Sequence, residues 1–328
     1  MQNITNTNKN TLALCIPAYN AANYLPRILE SAKNQLIPFD EILVYDDCST
    51  DNTAEVAMSF GAKVINGDIN KGCTWGRKIL ADNVKSTWIH FHDADDDMDI
   101  TFTTLAQKWM KMPNPPDVVL FNYNWVNAEN GNLIGKTIFD KKKAEENALL
   151  FSIETQINPF CGLYNTLKFI ESGGPDLDPL VANYEDAAMH IKLAKEGLTF
   201  SVESNFCIIN YCNPNSMSRN VNGYLNNISS VYFTMNKIYD QLKNLDFDND
   251  EIKDAIGKKM WKHARHAAWV SQWEMLRKCI KLAKDCGVKV PIEDSIKFQL
   301  ISRISPFYSI LLREFWNRIF RENGKYWY

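Results

Sequence analysis

Short apolar runs alternate with helical periodicity along the first half of the chain. Leu12 to Ile16 is an apolar run stopped by Pro17, and Glu41 to Tyr45 and Ala62 to Ile65 are two more of strand length. Between them, Ala22 to Gln35 places Leu25, Ile28 and Leu29 on one helical face, and Asp51, Asn52 and Thr53 offer caps for a helix that Gly61 ends. A third helix is expected over Thr74 to Val84 and a fourth strand over Trp88 to His92. Strands this short, separated by helices, predict an α/β fold of the Rossmann-like kind, a mostly parallel sheet with helices on both faces. In such sheets ligands bind beyond the carboxyl ends of the strands. The polar clusters of this chain fall there: Pro17-Ala18-Tyr19-Asn20, Asp46-Asp47-Cys48-Ser49 and Asp93-Ala94-Asp95.

Further on, Asp117 to Trp125 reads as a strand, Glu185 to Gly197 as an amphipathic helix, and Phe200 to Tyr211 as more strand. The run Lys141 to Glu146 reads as a solvated helix start. From Val221 the pattern turns to long helical segments, broken near Asp246 to Asp250, Gly287 to Pro291 and Pro306. Two regions are therefore expected, an α/β domain over residues 1–220 and a helical region over 221–328.

Composition narrows the class. The 328 residues are 45% hydrophobic and 23% charged, the profile of a globular chain, and the net charge of −3 gives no reason to expect a nucleic-acid partner. The polar N-terminus has no basic stretch followed by an apolar one, so no secretory signal is expected. The longest apolar candidate, Val118 to Val126, contains Asn122 and Asn124 and falls short of a membrane span. Eight cysteines without CxxC spacing point to reduced thiols and against a structural zinc site.

The run that ends in Asp93, Asp95, Asp96 and Asp97 carries the most chemistry. Close carboxylates repel by about 1 kcal/mol per pair even in water. A hard divalent cation relieves that repulsion and takes the oxygens as ligands, and it invites phosphate groups to complete its shell. The competing reading is a solvated acidic turn. Other nucleotide sites fit poorly: no G-x-G-x-x-G follows the first strand, and in Gly67 to Thr74 a cysteine, Cys73, stands where a P-loop needs lysine.

Taken in order, Pro17-Ala18-Tyr19-Asn20, Val44 to Asp51, Asn70-Lys71-Gly72 with Arg77, Asp93-Ala94-Asp95-Asp96, Gly173-Gly174-Pro175-Asp176 and Glu185-Asp186 resemble the motifs of a bacterial-type family 2 inverting glycosyltransferase of the GT-A fold. The resemblance covers roughly Thr11 to Arg219. It implies a transferase that moves a hexosyl or N-acetylhexosaminyl group from a nucleotide-diphosphate sugar, UDP-sugar by default, to a hydroxyl of a glycan or lipid-linked acceptor in cell-surface polysaccharide synthesis. Mn²⁺ or Mg²⁺ would be the cofactor.

Roles follow residue by residue. Pro17, Tyr19 and Asn20 would hold the donor, with Tyr19 stacking on the base. Asp47 would accept from a base N–H, while Asp46 holds the loop. Arg77 could pair Asp93 or a phosphate. Asp93 and Ala94 belong to the donor site, Asp93 acting through ribose hydroxyls or a metal-bound water. Asp95 is the expected metal ligand; Asp96 and Asp97 could instead cap the next helix, and His92 is a candidate further ligand. Asp186 would be the general base, with Glu185 orienting the site and Phe160, Cys161 and Gly162 lining the sugar and acceptor pocket.

Two positions depart from the family pattern. Tyr211 and Asn213 stand where relatives often carry Arg and His, so a lid over Cys212 to Asn222 would rely on Ser216, Ser218 and Arg219. Cys48 stands where Gly is usual and requires a turn that tolerates a side chain. Downstream, Ile301 to Tyr328 mixes aromatics with Arg303, Arg313, Arg318, Arg321 and Lys325, which suits either a membrane surface or a helix packed on protein, including a second subunit. The expected location is the cytoplasm, or the inner face of the cell membrane. Two rival classes stay open: a non-catalytic nucleotide-sugar binder, and a nucleotidyltransferase on a related sheet.

Overall fold

The computed structural model describes residues 10–212, 221–243, 249–291 and 296–320. The chain divides into two compact units, residues 1–177 with 185–216, and residues 178–184 with 217–328.

The first unit is built on one nine-stranded sheet. Its strands are β1 (Leu12–Ala18), β2 (Glu41–Asp46), β3 (Lys63–Asn66), β4 (Trp88–Phe91), β5 (Asp97–Met98), β6 (Val118–Asn127), β7 (Leu133–Thr137), β8 (Gly162–Asn165) and β9 (Phe200–Cys212). They lie in the order β3-β2-β1-β4-β8-β6-β9-β5, with β7 beside β6. The first four are parallel, β6 and β9 are parallel, and β8 runs antiparallel between the two groups. The helices are α1 (Leu25–Lys33), α2 (Thr53–Ser59), α3 (Cys73–Asn83), α4 (Phe102–Met110), α5 (Lys141–Glu146), α6 (Ala148–Glu154), α7 (Thr166–Glu171) and α8 (Glu185–Lys195).

Every residue of β1 is buried, as a central strand covered on both faces requires. Pro17 does not stop it. Pairing with β4 ends at Cys15, whereas pairing with β2 continues through Pro17 and Ala18. Cys15 accepts from His92 on the β4 side, and Ala18 from Asp47 on the β2 side. Alternate residues face alternate neighbours, so the N–H that Pro17 lacks would have pointed past the end of β4. Gly76 matters for the site: a Cβ there would come within 2.9 Å of Pro17 and of the Tyr45 ring. Its absence lets α3 press onto β1 and β2.

The second unit is helical: α9 (Val221–Lys243), α10 (Asp250–Trp269), α11 (Trp273–Asp285), α12 (Ile296–Ile304) and α13 (Pro306–Phe320). Its core includes Val231, Met235, Ile256, Met260, Trp261, Leu276 and Ile310. The segment 178–184 groups with these helices, where the Asn227 amide donates to the Asn183 carbonyl at 2.7 Å.

Candidate active site

The carboxyl ends of β1, β2 and β4 and the first turns of α3 and α8 meet through side chains. Asn20 stitches the β1 turn to the β2 turn: its Oδ1 accepts from the Thr50 N–H at 2.8 Å and its own N–H donates to Ser49 Oγ at 2.9 Å. Tyr19 beside it is 49% exposed, a free aromatic face at the strand end. Asp46 holds its own turn by accepting from the Ser49 N–H at 3.1 Å. Asp47, expected to face a base, is buried. Its carboxylate accepts from the Lys71 N–H at 2.9 Å and the Gly72 N–H at 2.6 Å, which anchors the loop before α3. Cys48 adopts φ 62, the left-handed turn that explains why Gly is the usual residue there.

Arg77, one residue past Gly76, is the centre of the site. It is buried, and its guanidinium reaches Asp186 Oδ1 at 2.8 Å and Asp93 Oδ1 at 3.3 Å. Pairing with Asp93 is one of the two contacts expected from the sequence; the pairing with Asp186 joins residues 109 positions apart. The side chains of Asp93 and Asp186 remain about a third exposed. Glu185 lies alongside and accepts from Cys73 Sγ at 3.7 Å.

One buried cation against three carboxylates leaves the cluster short of positive charge. Burial, and then the neighbouring Asp186 charge, push the Glu185 carboxyl up to about 7. Burial also raises Asp186, against the opposing pull of Arg77. Burial alone would lower Arg77, but its acidic surroundings hold it firmly protonated. Burial pushes the Cys73 thiol up to about 11, so it stays a thiol and a hydrogen-bond donor.

At the end of β4, Asp95 is exposed, with its carboxyl raised by partial burial and by Asp93. Its backbone carbonyl accepts from Arg27, whose guanidinium stacks 4.0 Å from the Tyr211 ring. Ala94 is partly buried against the core. Neither Asp96 nor Asp97 caps α4. Asp96 is buried and accepts from Asn210 Nδ2 at 2.7 Å and the Tyr211 N–H at 2.9 Å, which ties the acidic turn to β9. Asp97 accepts from the Met98 N–H at 2.8 Å, and Asp99 takes the turn before α4 by accepting from the Thr101 N–H at 2.9 Å. His92 is fully buried with its ring on His90 at 3.0 Å, so it belongs to the core rather than to an ion shell.

Phe160, Cys161 and Gly162 are buried too, and they support the site rather than line an open pocket. Phe160 packs edge-on against Tyr123, and Cys161 Sγ donates to the Asn158 carbonyl at 2.9 Å. A Cβ at Gly162 would collide with the Tyr164 ring, 2.2 Å away. That ring carries a contact the sequence does not announce. The Tyr164 hydroxyl donates to His190 Nε2 at 2.9 Å, and His190 Nδ1 donates to the Asp186 carbonyl at 2.7 Å. Burial lowers His190 to about 4, so the imidazole is neutral and the carbonyl fixes its tautomer. The only sequence signal is His190 at i+4 from Asp186. The expected lid residues Ser216, Ser218 and Arg219 lie outside the described residues.

The arrangement places an open aromatic ring, an exposed carboxylate on an acidic turn and a partly shielded carboxylate at a helix start within one site. Residues 13–168 match the Glycosyl transferase family 2 model. That segment ends before α8, so it holds the acidic turn and Arg77 but not Asp186. An uncharacterized glycosyltransferase of Haemophilus influenzae is 34% identical over 86 residues, covering 26% of this chain and 29% of its own length. The putative teichuronic acid biosynthesis glycosyltransferase TuaG of Bacillus subtilis is 27% identical over 93 residues, covering 27% of this chain and 37% of its own. The chain thus spans well under half the length of these two relatives. The structure of S. aureus TarS residues 1–349 in complex with UDP-GlcNAc superposes with a TM-score of 0.73 at 18% identity, covering 94% of this chain and 92% of that one. The fold is GT-A, with additional helices at the C-terminus. The match over β1 to α7 and the glycosyltransferase relatives support a family 2 glycosyltransferase.

Proposed function

We propose that this chain is an inverting family 2 glycosyltransferase that moves a sugar, with UDP-sugar as the favoured donor, to a hydroxyl acceptor in cell-surface glycan synthesis. The observation that carries the reading is Arg77, which holds Asp186 and Asp93 at one point. The UDP-GlcNAc bound by TarS and the teichuronic acid biosynthesis in the name of TuaG support the choice of donor and pathway.

Asp186 serves as the base. Burial raises its carboxyl above the ordinary range and Arg77 pulls it back, opposing influences that suit a general base. It takes the proton of the acceptor hydroxyl as that oxygen bonds to the anomeric carbon and the bond to the diphosphate breaks. Attack from the face opposite the leaving group inverts the centre. Tyr19 offers its open face to the base of the donor, and Pro17 and Asn20 hold the turn that presents it. Glu185, protonated in part at neutral pH, donates to a sugar or acceptor oxygen beside Asp186.

The donor set at the β4 end fits Mg²⁺ or Mn²⁺. It consists of carboxylate oxygens only, with Asp95 exposed and its carboxyl raised by partial burial and then by Asp93. Among the described residues no group of three His, Cys, Asp or Glu side chains is gathered to hold an ion unaided. Asp95 would hold the ion, with the donor diphosphate completing the shell, and the ion would stabilise charge on the departing diphosphate.

The test is a pair of variants with nucleotide binding and transfer measured separately. Asp186→Asn should bind UDP-sugar like wild type and lose about 10²–10⁴ in transfer rate. Asp95→Ala should lose the metal-dependent part of nucleotide binding. Wild-type transfer by Asp186→Asn would remove the base assignment. No stabilisation of the wild type by any nucleotide diphosphate with Mn²⁺ would leave the binder and transferase readings alike without a donor site.

A further inference from the structure

In the second unit, α12 and α13 bury several polar side chains alongside Ile310 and expose a row of apolar ones. The buried side of this helical pair carries Ser302, Ser309 and Glu314, with Ser302 Oγ and Ser309 Oγ hydrogen-bonded at 2.9 Å. Its exposed side carries Ile296, Leu300, Ile304, Tyr308, Leu312 and Phe315. Ile304 is 89% exposed and Ile296 77%. From Ile296 to Leu312 these positions recur every fourth residue, so each helix presents an apolar row to solvent. Single exposed apolar residues are ordinary, but a row of this length marks a surface that something covers.

Charge selects the cover. Residues 178–184 and 217–328 hold 19 Lys and Arg against 13 Asp and Glu, whereas the remainder of the chain holds 17 against 26. Arg303 is exposed beside Ile304, within the apolar row. A second copy of the chain meeting on this face would bring two basic units together, which Coulomb repulsion opposes. No helix among the described residues is long and apolar enough to cross a membrane. An apolar row flanked by basic residues, too short to span, has the composition of a helix lying in an anionic lipid interface.

We propose that α12 and α13 dock the protein on an anionic membrane surface, with the apolar rows entering the acyl boundary and Arg303 meeting lipid phosphate. Lipid binding can be measured without sugar transfer, so this surface role stands or falls separately from the donor chemistry.

The experiment is co-sedimentation of the full chain with vesicles of equal parts phosphatidylglycerol and phosphatidylcholine, and with phosphatidylcholine alone. The mixed vesicles should bind about tenfold tighter or more, and added salt should weaken them. The double variant Ile304→Glu with Leu312→Glu, both positions being exposed, should keep the wild-type circular dichroism and lose most vesicle binding. Arg303→Glu should lose binding to the mixed vesicles selectively. Three results would overturn the proposal: no binding of wild type to anionic vesicles, equal binding to both vesicle types, or undiminished binding by the double variant. A wild-type dimer in light scattering that the double variant turns to monomer would assign the face to a second copy instead.

Discussion

Replacing Glu185 with Gln should make the protein more stable, and only above acidic pH. Glu185 sits half-buried beside Asp186, and its carboxyl is pushed from an ordinary 4.5 up to about 7. A folded-state value above the unfolded one means that the folded protein binds the extra proton. Stability is then fully present below about pH 4.5 and declines as pH rises through about 7. A tenfold difference in proton affinity between folded and unfolded chain is worth about 1.4 kcal/mol, so the ionised carboxylate costs the fold roughly 3 kcal/mol at pH 8, with solvent access trimming this toward about 2. Gln keeps the acceptor oxygen that Cys73 uses and carries no charge. The assay is thermal unfolding of both proteins between pH 4.5 and 8.5. The curves should coincide at the acid end and separate up to pH 7, with the variant melting roughly 3–5 °C higher above that. A constant offset at every pH, or a variant less stable at pH 8, would refute the account of the cluster as short of positive charge.

Other perturbations have equally definite signs. Arg77→Met leaves Asp93 and Asp186 facing each other without their cation; because both are about a third exposed, the loss should be about 2–3 kcal/mol in urea denaturation at pH 8 and smaller in acid, where Asp186, its carboxyl raised by burial, takes up a proton. Arg77→Lys should recover only part of it, since an ammonium cannot fork to two carboxylates, and full stability in Arg77→Met would sink the bridging role. Cys48→Gly should be neutral to stabilising by up to about 1 kcal/mol, because it removes a side chain from φ 62; a denaturation midpoint lowered by Cys48→Gly would mean that the Cys48 contact to the Asp68 carbonyl outweighs the strain.

The parallel half of the sheet was legible because each buried strand is a short apolar run and each ends on the polar residues that a strand end exposes. Boundaries shifted where a neighbour decided them, as at Pro17, whose strand continues on the β2 side alone. The antiparallel β8 was not legible: Gly162–Asn165 is four residues long, and its place between β4 and β6 depends on pairings across the chain. At the site, residue types were readable and their partners were not. Three neighbouring aspartates have one composition and three fates: Asp95 open, Asp96 tied to Asn210 and Tyr211, Asp97 turned onto its own backbone. Asp47 was readable as a strand-end carboxylate, but its engagement with the Lys71 and Gly72 amides depends on how the next loop folds back. The buried Tyr164–His190 support left almost no trace, because a tyrosine and a histidine in apolar surroundings look like any other core residues.

The segment 178–184 has a consequence for how the chain is made and cut. Its partners lie far downstream, with the Asn183 N–H donating to Ser230 Oγ across 47 positions and Lys259 stacked over the Tyr184 ring at 5.4 Å. It also leads without a break into Glu185 and Asp186. As the chain leaves the ribosome, the residues just before the proposed base must wait for α9 and α10 before they gain these contacts. A truncation after residue 220 would therefore deliver every strand of the sheet and still strand one internal segment without its packing. Fragments meant to isolate the sugar-transfer chemistry are better drawn to keep α9 and α10 than to stop where the strands stop.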